Sequence, residues 1–534
     1  MQRKEFERCT PEAVGIPSGA VEAFVDALEY GGFTQMHGLM IMRRGKVCAE
    51  GWWSPFAPGL RHCDHSLSKT YTATAVGIAQ REGLLRLTDS VVGFFPEKAP
   101  EHPSQRLARM TVRDLLVMGA GMEEEEPDYP KNWLDTLLAL PVEHEPGTHW
   151  RYNSHVTTTL AAIVERVSGM PMVDYLTPRL FDKIGIDARH VMCSRAGDGV
   201  CIGGSGLFTT TEDNLRLMKL YMDGGVWEGE RILDEAFVSE ATSKRLDTRQ
   251  AHAHTPWIAD NCAGYGYQIW MCRRPGAYRA DGAYGQFSVV IPDLEMIVSI
   301  HEDGYLGDHM AHSELHMLKG QEGEEAPVHG PQATLNALFD ILVPAVQPNP
   351  LPQSEGSARL QRRLSALSVP HPAAGKGVDW AQRSFACALE PAGEERISFG
   401  LLYGMSKKRK RYPGVSRMEM RMQGGACRLL FEEGGRERTL LIDVMGGRRI
   451  GRLFYEEIEE SMVAVSGWWE AENRFCMSLL WIETEAENRF AFTFGEGGAT
   501  IEEWNAAGVF GAQGRKTARY AAAPAGEGTH GKAL

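Results

Sequence analysis

Strand-like segments at both ends of one long helical stretch constrain this chain more than any other feature. Residues 36–54 read as a hairpin: Leu39-Met40-Ile41-Met42, a turn at Arg43-Arg44-Gly45-Lys46, then Val47-Cys48-Ala49-Glu50. Strand patterns return between 264 and 302, at Gly266–Met271, Gly276–Arg279, Phe287–Ile291 and Met296–Ile300. From the hairpin to about residue 240, helical patterns punctuated by Pro and Gly prevail. An amphipathic helix over 11–32 (Val21, Phe24, Val25, Leu28) precedes the hairpin, and another over 333–346 (Leu335, Leu338, Phe339, Ile341, Leu342) follows the last strand. This order predicts an α+β fold, with an antiparallel sheet closed by sequence-distant ends and set beside a helical region.

The run Gln347-Pro348-Asn349-Pro350-Leu351-Pro352 ends that pattern and opens a polar linker, expected over 349–378. From 379 to 513, strand-like runs recur between Gly and charged turns, as in Arg438–Val444 and Met462–Trp469, and predict a C-terminal all-β domain. It is expected to pack against the preceding domain or rim its cleft. Residues 514–534, rich in Ala and Gly, are expected to be a disordered tail. The main domain then spans 1–348.

With 534 residues, 43% of them hydrophobic, the chain can bury a large core. A net charge of −14 argues against nucleic acid or an anionic membrane as the main partner. No apolar run reaches the ~20 residues of a membrane span, and the first residues show no secretory h-region. The ten cysteines are scattered without a Cys-x-x-Cys pair, which argues for unpaired thiols in a reducing compartment. A cytoplasmic location is the expectation.

Chemistry concentrates at Ser66-Leu67-Ser68-Lys69, where a helix is expected to begin. Residues i and i+3 of a helix share a face about 5–6 Å apart, so the Lys69 amine can fold back on the Ser66 hydroxyl. Serine is a weak nucleophile until a neighbouring base takes its proton, and a helix N-terminus favours a developing oxyanion.

Further segments follow in order: Glu82–Asp89, Met110–Gly121, Glu145–Ser154 with its helix to Gly169, Gly203–Asp213, Asp281–Phe287 and Ile291-Pro292-Asp293. Together with the Ser-x-x-Lys helix they resemble the penicillin-recognising serine hydrolases of the class C β-lactamase type. That group includes D-alanyl peptidases, esterases and 6-aminohexanoate-dimer hydrolases. The resemblance covers about residues 8–348. It implies a β-lactamase-like fold, a helical domain against a helix-flanked antiparallel sheet, with the active site between them. It also implies Ser66 as nucleophile, Lys69 and Tyr152 as the general acid–base pair, and the N–H groups of Ser66 and Ala283 as oxyanion hole. Ser154, Asp281 and Tyr284 take the substrate-binding positions.

Two departures from the family pattern bear on substrate. The Tyr-x-Asn position reads Tyr152-Asn153-Ser154, and Asp281-Gly282-Ala283 replaces Lys-Thr-Gly. An aspartate there would repel a carboxylate, which points away from β-lactams and D-Ala peptides and towards a small ester or amide. D-amino-acid peptidase, weak β-lactamase and non-catalytic ligand binding are the alternatives.

No metal or cofactor is expected. His309, His312 and His316 with Glu314 read as a surface or lid helix, and Arg61–His65 as the floor of the site. Lys407–Arg411 reads as a solvated turn, and Gly203-Gly204-Ser205-Gly206 as a close-packed turn near the cleft. Trp52, Trp53, Trp150 and Trp270 are candidate pocket walls.

Overall fold

The structure, a computed structural model, describes residues 5–32, 34–123, 129–249, 259–304, 330–379, 384–400, 413–455, 458–507 and 515–523. His309, His312, His316 and Lys407–Arg411 lie outside them. The described chain forms two compact units that divide after Leu367.

The first unit is built on a six-stranded antiparallel sheet. Its strands are β1 (Gln35–Arg43), β2 (Lys46–Trp52), β3 (Trp270–Met271), β4 (Tyr278–Gly282), β5 (Gln286–Ile291) and β6 (Met296–Asp303). They are ordered β2-β1-β6-β5-β4-β3, so β1 and β6, far apart in the chain, pair inside the sheet. The β1–β2 turn falls where the sequence places it, with Arg44 and Gly45 both at positive φ, as a tight hairpin requires.

Adjacent residues on a strand face opposite ways. His301 meets α4 (Thr211–Met222) through Thr211 and Asn214, whereas Glu302 accepts hydrogen bonds from Thr334 on α5 (Gly330–Ala337). Helices therefore cover both faces. Beside the sheet, α2 (Ser68–Arg81) packs on α3 (Ser154–Ser168). Asn153 caps α3, its Oδ1 accepting from Val156 N at 3.1 Å, and satisfies one of the donors a helix start leaves open.

Three expectations for the first unit and the segment that follows it need correction. The amphipathic segment at 11–32 is a 3₁₀ turn, Pro11–Val14, followed by α1 (Ser18–Tyr30). The stretch 349–378, expected as a linker, contains a helix at Glu355–Leu364. Its Arg359 and Arg363 pair with Glu22 and Glu29 of α1, so it is tied to the first unit. Finally, Cys193 and Cys201, expected as free thiols, form a disulfide across the ends of a short reversing loop, their Cα atoms 5.9 Å apart. The eight-residue spacing gives no sequence signal for that pairing.

The second unit is all β. Its ten strands are β7 (Phe385–Pro391), β8 (Val415–Gln423), β9 (Ala426–Glu433), β10 (Arg436–Asp443), β11 (Arg449–Tyr455), β12 (Ile458–Ala471), β13 (Arg474–Trp481), β14 (Glu487–Gly495), β15 (Gly498–Ala507) and β16 (Lys516–Ala522). They run in the order β10-β9-β8-β7-β16-β15-β14-β13-β12-β11. An additional bridge, Asp443 to Ser466, joins β10 to β12 and closes nine of them into a barrel with β11 alongside. Strand β16 falls within the segment expected as a disordered tail. It has a place because it pairs on one side with β15 and on the other with β7, closing the ring. Residues 524–534 lie outside the described residues.

Candidate active site

Ser66 sits in a single 3₁₀ turn, His65–Leu67, that runs directly into α2. Its neighbour His65 has φ 47°, and Tyr284, on the β4–β5 connection opposite, has φ 66°. The two rings pack together, centroids 5.0 Å apart. Left-handed backbone at bulky residues costs about 1–3 kcal/mol each and persists where the surroundings enforce it. It holds the turn that carries Ser66 against the strand end that carries Ala283. Gly282 makes the approach possible, since a Cβ there would stand 2.1 Å from the Asp64 carbonyl oxygen.

Lys69 lies one helical turn on and is 1% exposed. Its Nζ is 3.1 Å from Ser66 Oγ, 3.1 Å from Ser154 Oγ and 2.5 Å from the carbonyl oxygen of Gly204. It also stands 4.6 Å from the centre of the Tyr152 ring. Three acceptors match the three protons of an ammonium. A neutral amine in the same place would donate to Gly204 O and Ser154 Oγ and turn its lone pair to the Ser66 hydroxyl. Gly204 must be glycine here, because a Cβ would stand 2.4 Å from the Ser154 carbonyl oxygen. The Gly203–Gly206 segment is thus the close-packed turn its sequence suggests.

Tyr152 precedes α3 and is half-buried in a cluster of aromatic rings. Trp270 stacks on it at 5.7 Å, Tyr265 meets it edge-on at 6.3 Å, and Trp150 lies 6.1 Å away. Of the four tryptophans expected as walls, Trp150 and Trp270 are at the site. Trp53 is buried, with its Nε1 donating to Glu29 Oε1 on α1.

The strand position expected to repel carboxylates is more subtle than its residue type. Arg279, two residues before Asp281 on the same face of β4, donates from Nε to Asp281 Oδ2 at 2.7 Å. Arg279 is fully buried, and its Nη1 and Nη2 donate to Asn261 Oδ1 and to the carbonyl oxygens of Asp260 and Met271. Burial pushes the Asp281 carboxyl above its ordinary value, while Arg279 and, more weakly, Lys69 pull it down. The pair is close to neutral, so Arg279 does not offer its charge to a substrate carboxylate. Tyr284, expected to bind substrate, is 1% exposed beneath His65 and serves to shape the turn.

Behind Ser66, Asp64 and His62 of the Arg61–His65 floor join a polar network with residues that their sequence positions did not single out. Asp64 accepts from Asn214 Nδ2 at 2.8 Å and Thr209 Oγ1 at 2.7 Å, and lies 3.5 Å from His301 Nε2. His301 stacks on His62, which is 2.9 Å from His37. Burial raises the Asp64 carboxyl to about 7, despite the lowering by Asn214, Thr209 and His65. Burial also lowers His301 to about 3, with His65 adding to the effect. These residues come from separate segments, so only the fold reveals them as a group.

A family model described as Beta-lactamase matches residues 20–307, more than half of the chain. The chain belongs to the beta-lactamase family. It is similar to the 6-aminohexanoate-dimer hydrolase of Paenarthrobacter ureafaciens, 25% identical over 284 residues that cover 48% of this chain and 70% of that protein. Among solved structures, the octameric penicillin-binding protein homologue from Pyrococcus abyssi aligns over 94% of this chain and 99% of its own, at 14% identity and a TM-score of 0.45. The hydrolase EstCE1 aligns over 59% and 98%, at 17% identity and a TM-score of 0.44. The chain is a serine hydrolase of β-lactamase-like fold. None of the helices among its described residues is long and apolar enough to cross a membrane.

Proposed function

We propose that the chain hydrolyses a small ester or amide through an acyl-enzyme on Ser66. One observation carries this reading: Lys69 Nζ lies 3.1 Å from Ser66 Oγ while Ser154 and Gly204 hold it from the other side. In the reading, the Lys69–Tyr152 pair takes the serine proton as Oγ attacks the substrate carbonyl, then passes a proton to the leaving alcohol or amine. The N–H groups of Ser66 and Ala283 stabilise the oxyanion, each such donor being worth about 10²–10³ in rate. Water, activated by the same pair, then releases the acid.

The substrate class follows from the surroundings. With Asp281 at the strand position where the family pattern has lysine, and Arg279 buried against it, that position does not present a cation to a β-lactam or peptide carboxylate. The half-buried Tyr152 ring, backed by the buried rings of Trp150, Tyr265 and Trp270, favours an apolar or aromatic group beside the scissile bond. Fluorophosphonate labelling and p-nitrophenyl ester hydrolysis of wild type and Ser66→Ala test the acyl-enzyme reading. Labelling and turnover that vanish in the variant support the proposal, and equal labelling of both proteins refutes it.

A further inference from the structure

Residues 118–123, which follow the helix Val112–Leu116, and residues 144–151, which lead into Tyr152, touch backbone to backbone. His144 N donates to Gly121 O at 3.0 Å, Gly147 N to Gly119 O at 2.7 Å and Arg151 N to Met118 O at 2.9 Å. Gly121, at φ +78°, permits this approach, since a Cβ there would stand 2.4 Å from the His144 carbonyl oxygen. Three metal-type donors meet where the segments join. Glu123 Oε1 is 2.8 Å from His144 Nε2 and 3.0 Å from His149 Nε2, and the ligand atoms all lie within 4.8 Å of one another. The two imidazoles stack with centroids 4.0 Å apart, and both Nε2 atoms face Glu123 Oε1.

We propose that Glu123, His144 and His149 form a binding site for one divalent transition-metal ion of the zinc type. Bonds of 2.0–2.2 Å to a tetrahedral ion put neighbouring donors about 3.4 Å apart, so the present spacing opens to admit one by side-chain adjustments of under about 1 Å. Two imidazoles and one carboxylate suit zinc, copper or nickel, whereas magnesium and calcium prefer all-oxygen sets. Arg151 Nε stands 3.8 Å from Glu123 Oε2 and orients the carboxylate with Oε1 towards the histidines, the part outer partners play in metal sites. The three side chains are between 32% and 40% exposed, so solvent has access to a fourth coordination position.

An ion here ties the two segments together only three residues before Tyr152. Occupancy therefore adjusts the loop carrying Tyr152 and leaves the Ser66–Lys69 contact unchanged. The proposal stands apart from the acyl-enzyme reading and is judged by binding rather than turnover.

The test is isothermal titration of EDTA-stripped, untagged full-length protein with Zn²⁺, and with Mg²⁺ for comparison. Wild type is expected to bind one Zn²⁺ per chain at this site and to ignore Mg²⁺. Glu123→Gln, which keeps the side-chain shape, and the double variant His144→Ala/His149→Ala are expected to bind at least about 100-fold more weakly, more than the loss of an outer partner alone produces. His190→Ala, an exposed control, keeps wild-type binding. Absence of stoichiometric Zn²⁺ binding in wild type overturns the proposal. So does unchanged binding by both Glu123→Gln and the double variant, which would assign the ion to other histidines such as His309, His312 and His316.

Discussion

In the barrel, alternate residues fill the interior: Met418, Met420 and Met422 on β8, Cys427, Leu429 and Phe431 on β9, Phe490 and Phe492 on β14. Around Ser66 the buried positions are different. Helix α2 buries Ser68, Lys69, Thr70, Thr72 and Thr74, and α3 buries Thr157, Thr158 and Thr159. Apolar burial is non-directional and tolerates exchange of shape, whereas buried polar groups demand particular partners. Lys69 shows what that achieves: a buried amine aimed at one hydroxyl by Ser154 and Gly204. The first unit positions chemistry with hydrogen bonds, while the barrel gains stability from packing.

That contrast breaks if truncation in the barrel and loss of a hydrogen bond near the site act alike. The largest stability loss is expected for Phe492→Ala, a fully buried ring, at about 3–5 kcal/mol in denaturant unfolding monitored on the barrel. Next comes Thr157→Val, which keeps volume but removes the 2.7 Å bond to Gln268 Oε1. Gln268 also ties Leu115, Leu116 and Thr70 together. Leaving its buried oxygen unpaired costs about 1–3 kcal/mol, and kcat is expected to fall as α2 and α3 loosen. A valine swap that costs nothing in either assay would dissolve the distinction.

The histidines behind Ser66 sharpen it through pH. Burial holds His301 at about 3 in the folded chain, below the ordinary 6.5 of the unfolded one. Its contribution is therefore complete above about pH 6.5 and is lost as pH falls towards 3. Between pH 7 and 5 that amounts to about 2 kcal/mol. Asp64, raised to about 7, acts in the opposite sense, its contribution growing as pH falls below 7. Wild type and His301→Gln share Asp64, and they also share Thr211, Asn214 and His62 around the ring. The difference in their pH 7 to pH 5 melting shifts therefore reports His301, with wild type losing more. The smallest effect is expected for Ser154→Ala, which removes the 3.1 Å contact of Ser154 Oγ with Lys69 Nζ and leaves those with Ser66 and Gly204. About 1 kcal/mol, or a several-fold loss in kcat, should appear in steady-state ester hydrolysis with KM little changed.

Much of this organisation was legible in the chain. The β1–β2 turn, the last two strands of the first sheet and the all-β character beyond it follow from local pattern, and Ser66, Lys69 and Tyr152, singled out by the order of their motifs, lie together in the fold. What escaped depends on residues meeting across the fold. The Gly204 carbonyl that holds Lys69 is a backbone atom with no side-chain signature. The His37–His62–His301–Asp64 group assembles from three separated segments. Strand β16 looks like a tail because Lys516–Ala522 carries mostly small residues, and its partners lie on two other strands. Arg279 and Asp281 were within reach, since residues two apart on a strand share a face, yet reading Asp281 alone gave it a free charge.

The account rests on Lys69 as the group that readies Ser66. Pre-steady-state acylation by p-nitrophenyl acetate, compared between wild type and Lys69→Met, tests it most directly. The account predicts that the variant stays folded and that its acylation rate falls by about 10²–10⁴, the range for losing a positioned general base. Acylation within a few-fold of wild type would contradict it.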